Sequence, residues 1–325
     1  MLFMKSTFIQ TKQTLRPRIT VAGSSATNMV IRAHHHPVPG GMVMGDQFFT
    51  TPGGKGANQA VTAARLGAAV TFLSRIGNDL FGRQAIQQLM EEGINTDFIL
   101  SDQRLASGVA FVTVDADARS SMTIAPGANS AFSPEELLPA AAQIGQSDYL
   151  LLQMDIPEET VLQAAKIAAG RHVPVMLDPA PAYACSEELL QYVTVFTPNR
   201  AAASQLSGIA VTSMESAVEA AEIICRKGVK AVVMTLGEQG ALALHGDQLH
   251  VIPPVPVEAV DTTAAGDVFN AALAVALAEQ KNLREAAVFA AKAAAIAVTR
   301  WGAQAAAPYR REMEKKIFHT SNTSV

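Results

Sequence analysis

From residue 149 to residue 300 the chain alternates short apolar runs with segments of helical periodicity, and that rhythm leaves few folds open. Tyr149–Gln153, Val173–Leu177, Val193–Thr197, Ala231–Thr235 and Ala241–His245 read as strands. Between and after them, Pro157–Ala169, Glu187–Tyr192, Ala201–Leu206, Met214–Lys227, Val268–Glu279, Leu283–Arg300 and Tyr309–Phe318 read as helices. Apolar strands separated by helices build a mostly parallel sheet covered on both faces. The expected class is therefore α/β, a doubly wound, mostly parallel sheet with helices on both sides.

The first half keeps that rhythm only in part. Ile19–Ala22 and Val70–Ile76 read as strands, and Gln59–Leu66 and Phe81–Glu92 as helices. Met29–Ala33, Met42–Thr51, Val109–Val114 and Ser120–Ile124 are strand-like but have no helices between partners, and the last two flank an acidic turn that suits a hairpin. They are expected to form a small inserted antiparallel sheet, placed as a lid. The domain is expected over residues 17–312, after an extension (1–16) without fixed structure and before a tail (313–325).

Of 325 residues, 49% are hydrophobic and 17% charged, enough for a large core. A net charge of −4 gives no electrostatic case for nucleic acid or a membrane surface as partner. Cys185 and Cys225, forty residues apart and without a CxxC pattern, point to a reducing, cytoplasmic setting rather than to disulfides or zinc. No apolar run is long enough to span a bilayer.

Two stretches carry chemistry. Asp261-Thr262-Thr263-Ala264-Ala265-Gly266-Asp267 follows the apolar, proline-interrupted run Leu249–Val260 and opens a helix. Ala264, Ala265 and Gly266 leave the backbone uncovered, and a helix start attracts anions. Asp267 at the lip is suited to take a proton from a hydroxyl attacking such an anion, which is phosphoryl transfer to an alcohol. The second stretch, Gly53-Gly54-Lys55-Gly56-Ala57-Asn58, also opens a helix. It matches neither a P-loop nor a dinucleotide fingerprint. Lys55 offers a positive charge, and Asn58 both donates and accepts, as sugar hydroxyls require. Thr197-Pro198-Asn199 ends a strand at the edge where open α/β sheets bind ligands, and Thr235–Gly240, with glycines three apart, reads as a structural turn joining two strands. His34-His35-His36 point alternately on an extended segment and are expected in an exposed loop, not on a metal.

Together these stretches resemble the ribokinase branch of the PfkB carbohydrate kinases over about residues 17–312. Gly53–Ala60 is similar to one family signature and Asp261–Asp267 to the other, with Ala125–Asn129, Asp178–Pro181, Thr197–Asn199, Thr235–Gly237 and Ala295–Arg300 in support. The resemblance implies transfer of the ATP γ-phosphate to a sugar hydroxyl with Mg²⁺, stimulation by K⁺, and a lid that forms a homodimer contact. It implies Asp267 as general base and Ala264, Ala265 and Gly266 as anion hole. Asn28, Gly54, Lys55, Asn58 and Asp155 would hold the sugar, and Asn199, Thr235, Gly237, Gly240 and Gly266 the nucleotide. Asp261, the Thr263 carbonyl and the loop at Gly302 would hold K⁺.

The chain departs from that pattern at Ala26 and Asn28, where the family carries Asn and Asp against ribose. It departs also at Ala202, in place of a Glu that supports the Mg²⁺ shell, at Ala306 near K⁺, and at Gly41 in the lid. Two readings follow: an active kinase with an altered pentose or furanose acceptor, or a nucleotide- or sugar-binding sensor with eroded catalysis.

Overall fold

The computed structural model describes residues 16–117, 119–181 and 185–314. Residues 1–15 and 315–325, most of the expected extension and tail, lie outside the described residues. The strands are β1 (Arg18–Ala22), β2 (Ala26–Ala33), β3 (Gly45–Gly53), β4 (Ala69–Gly77), β5 (Ile99–Asp102), β6 (Gly108–Val114), β7 (Ser120–Ala125), β8 (Tyr149–Gln153), β9 (Val175–Asp178), β10 (Val195–Phe196), β11 (Ala231–Thr235), β12 (Ala241–His245) and β13 (Gln248–Ile252).

Nine of them make one sheet in the order β13-β12-β11-β10-β9-β8-β1-β4-β5. It is parallel from β5 to β11, and β12 and β13 add an antiparallel edge. Side chains alternate between the faces, as the two-residue period of a strand requires. Ile19, Val21, Leu151 and Met176 join one core with helices Lys55–Arg65, Ala265–Ala278 and Leu283–Val298. Ala22, Leu150, Leu152, Val175 and Leu177 join the other, with Glu158–Ala169 and Met214–Arg226. The doubly wound α/β arrangement is as expected.

The separate sheet runs β3-β2-β6-β7. Its outer pairs are antiparallel, but its central pair, β2 with β6, is parallel. The cause is topological: between β3 and β6 the chain returns to the main sheet through β4 and β5, so β6 re-enters in the direction of β2.

Among the differences from the sequence reading, three concern the sheet edges and the C-terminus. The run to Val260 stops as a strand at Ile252, because Pro253 and Pro254 cannot donate to a ladder. Ile99–Asp102, too short for a clear pattern, is an unforeseen edge strand. The last helix covers only Arg310–Met313 of the described residues.

Candidate active site

Order in the main sheet reverses at β1, which lies between β8 and β4. Open α/β sheets bind ligands at the carboxyl ends of strands at such a point. The chain leaves β1 through Gly23–Ser25 into the lid and returns at Gly53, directly into the helix Lys55–Arg65. Gly54 makes that return possible. Its φ is +91°, and a Cβ there would lie 2.6 Å from the Ser25 Cα. Only glycine fits both conditions.

The helix so placed puts three side chains on one acid. Asn58 Nδ2 donates to Asp267 Oδ2 at 2.8 Å, Gln59 Nε2 to Oδ1 at 3.4 Å, and Lys55 Nζ stands 3.6 Å from Oδ1. Gln59 is braced in turn by Gln153 at the end of β8, whose Nε2 donates to Gln59 Oε1 at 2.8 Å. Asp267 is buried, 4% exposed. It therefore forms the floor of the site, not the lip expected from sequence, because the first turn of its helix packs against the helix from Lys55. In that setting a carboxylate oxygen still has lone pairs for one more donor.

Lys55 is a charge hub. Its Nζ also lies 3.4 Å from Asp178 Oδ2, at the end of β9. Burial alone would lower the ammonium pKa, but Asp267, Asp178 and Asp155 outweigh it and hold the group above its ordinary range. Asp178 is pushed upward by burial, against the pull of Lys55. Asp155 follows β8 and accepts from the Ser24 hydroxyl, which also accepts from the Lys55 N–H at 3.1 Å. Burial raises Asp155 to about 6; Ser24 and Lys55 oppose the shift, and the neighbouring carboxylates add to it. Of the acceptors buried here without a donor, two are Asn58 Oδ1 and Asp155 Oδ1. A polyol with several hydroxyl protons would satisfy both. Beside them opens a cleft of about 580 Å³, walled by Ala26, Ile124, Pro126, Met154 and Ile156 and floored by Lys55 and Asp155.

The turn from Asp261 is held by its own acid. Asp261 Oδ1 accepts the Thr263 N–H and Oδ2 the Gly302 N–H, both at 2.9 Å. Ala264 takes the left-handed conformation at φ +59° as N-cap of Ala265–Ala278, a state that costs a non-glycine residue about 1–2 kcal/mol. The Ala265 N–H donates to the Thr262 carbonyl at 3.2 Å, so it is engaged within the turn. Above Gly266 a Cβ would meet nothing within 4 Å. First-turn N–H groups have no intrahelical acceptor, which leaves that face open to a ligand.

A family model described as "pfkB family carbohydrate kinase" matches residues 16–310. The chain belongs to that family. It is 41% identical to a ribokinase of Haemophilus influenzae over 305 residues, covering 94% of this chain and all of the relative. Among solved structures, a Thermotoga maritima ribokinase aligns at 40% identity and TM-score 0.83, over 92% of this chain and 98% of the other. An Arabidopsis thaliana ribokinase complexed with ribose and ATP aligns at 31% identity and TM-score 0.87, with the same coverage. This pfkB-family chain is accordingly a carbohydrate kinase.

The other residues singled out in this kinase fall into two groups. Asn199 and Thr235 bridge the ends of β10 and β11, and the Thr235 N–H donates to the Pro198 carbonyl at 3.1 Å. Gly237 and Gly240, both with positive φ, continue from them. This cluster lies further along the same carboxyl edge, beyond β8 and β9. Asn28 sits in the lid, where its Nδ2 donates to Thr51 Oγ1 at 3.3 Å across the β2–β3 pair. Ala202 is fully buried, its N–H capped by Asn199 Oδ1. Sequence reasoning left Ser24, Gln59, Gln153 and Asp178 without firm roles. Only Asp178, in a turn after a strand, carried a signal.

Proposed function

We propose ribokinase-type chemistry: ATP-dependent phosphorylation of the primary 5-hydroxyl of D-ribose or a related pentose or furanose. The observation that carries it is the buried Asp267, held by Asn58 and Lys55 beside the uncovered turn at Gly266. Asp155 and Asn58, each with a buried acceptor oxygen lacking a donor, orient the sugar hydroxyls, and Lys55 holds Asp178 and Asp267. Asp267 accepts the proton of the attacking hydroxyl. The hydroxyl oxygen bonds to the γ-phosphorus as the bond to the β,γ-bridging oxygen breaks, and ADP leaves. Negative charge on the transferring group is met by the helix start at Gly266. Asn199, Thr235, Gly237 and Gly240 line the nucleotide.

Among the described residues no group of three or more His, Cys, Asp or Glu side chains is placed to hold a metal. The carboxylates that converge do so on the Lys55 ammonium. Mg²⁺ would thus be held chiefly by nucleotide phosphates and water, where it neutralises phosphate charge. K⁺ would be held by Asp261 and the Thr263 carbonyl together with the loop at Gly302, oxygen donors that suit it, and Asp261 joins the two loops by accepting the Thr263 and Gly302 N–H groups.

The lid supports a homodimer. By its register, Val30, Phe49, Val112 and Met122 share the face that carries Ala26 and Ile124. Phe49 is 41% and Met122 52% exposed, an apolar strip that a second copy would cover. Among the described residues no helix is long and apolar enough to cross a membrane. Cys185 and Cys225 are free thiols, consistent with the cytoplasm.

An ADP-release assay across pentoses, deoxypentoses, ketohexoses and nucleosides, with and without K⁺, tests this reading. Turnover on a pentose or furanose is expected. Silence on every acceptor, with ATP still raising the melting temperature, would replace it with the sensor.

A further inference from the structure

The loop after helix Leu283–Val298 is gripped from several sides. Its Trp301 ring lies under Arg32 of lid strand β2, with the guanidinium 5.0 Å from the ring centroid. The next residue, Gly302, donates to Asp261 Oδ2 at 2.9 Å. Further on, the carbonyls of Gln304 and Ala307 accept from Arg65 Nη1 at 2.6 and 3.0 Å, and Arg65 closes the helix that begins at Lys55. The loop thus touches the lid, the sugar-side helix and the acid that shapes the turn before Gly266. Gly302 has φ +90°, so the backbone is bent sharply between the lid contact and the Gln304 anchor. The indole under Arg32 and the N–H that holds Asp261 thus belong to adjacent residues.

We propose that Trp301 is a positioning residue: through it the lid, engaged at Arg32, sets the Asp261–Gly266 turn. The inference rests on the kinase reading above. Trp301 touches neither the acceptor cleft nor Asp267. Its effect runs through the Gly302 N–H and the Asp261 carboxylate.

The test uses the full chain and its single tryptophan. The best acceptor is expected to move the lid, and with it the cation over Trp301, and so to change the intrinsic fluorescence. Arg32→Met should abolish that change and lower kcat about 2- to 5-fold, the range expected for one exposed cation–π contact, with little effect on acceptor KM. Arg32→Lys should restore most of both. In a cycle with Trp301→Leu the two effects on kcat should be non-additive. Calorimetry with ATP supplies a readout free of turnover, in which Arg32→Met is expected to weaken binding. Wild-type kcat and ATP affinity in Arg32→Met, or additive losses in the cycle, would overturn the proposal. If wild type turns over no acceptor, the kinase reading fails, and the calorimetry decides alone whether the lid sets the turn.

Discussion

Asn58 and Asp267 are 209 residues apart in the chain and meet at 2.8 Å in the core of the site, amide donating to carboxylate. The contact joins the two helix starts on which the proposed chemistry rests. One brings Lys55 and the sugar-side groups, the other the turn at Gly266. Because Asp267 is buried, its orientation is set by Asn58, Gln59 and Lys55 rather than by solvent.

Asp267→Asn should keep the fold and lower kcat by about 10²–10⁴, the usual worth of a positioned general base. Steady-state kinetics on the best sugar checks this. Retention of more than a tenth of the wild-type kcat would remove Asp267 from the base role.

Lys55→Met leaves Asp155, Asp178 and Asp267 clustered without their cation. Removing one partner of a fully buried ion pair costs about 3–5 kcal/mol. The Lys55 side chain is 31% exposed, so solvent screening reduces the expected loss to about 2 kcal/mol at neutral pH. The loss should shrink at pH 5, where Asp155 takes up a proton. Denaturant melts at the two pH values measure both.

Asp155 gives a sign-definite pH dependence. Its carboxyl titrates near 6 when folded, against 3.8 as the ordinary value. Between those values the folded state binds the extra proton, so this group's contribution to stability falls as pH rises from about 4 to about 6 and is flat above. Asp155→Asn should remove that slope from the stability profile. In wild type, acceptor KM should rise as pH falls through about 6, because a protonated Asp155 accepts sugar hydroxyls less well. A pH-independent KM would argue against its place in the sugar site.

Gly266→Ala separates stability from chemistry. The added methyl enters open space, and alanine in a helix is favoured over glycine by about 0.5–1 kcal/mol. The melting temperature should hold or rise while kcat falls at least tenfold, because the methyl covers the face that meets the phosphoryl group. Undiminished kcat would place the anion elsewhere.

Much of this architecture was legible in the chain. The alternation from Tyr149 onward yields the doubly wound sheet, since burial on both faces leaves apolar strands no other partner than helices. The turns at Gly54 and Gly266 were legible for a local reason: a helix start with no side chains over it has few other uses. What stayed hidden depends on distant partners. Two carboxylates that act on Lys55 come from separate strands, Asp178 at the end of β9 and Asp155 just after β8, and nothing near either acid signals the lysine. The parallel β2–β6 pair was also hidden, because its direction is set by the excursion of the chain through β4 and β5.

The sequence by itself determined the sheet, its two helical layers and the two backbone turns, because periodicity, chain stiffness and the lack of a Cβ act over a few residues. The tertiary structure alone decided which charges meet. Asp267 became a buried floor rather than an exposed lip, Lys55 the centre of three acids, and Trp301 a contact for the lid. Each of these follows from where strand ends and loops converge in space, and Coulomb and desolvation terms respond to that distance and burial, not to separation along the chain.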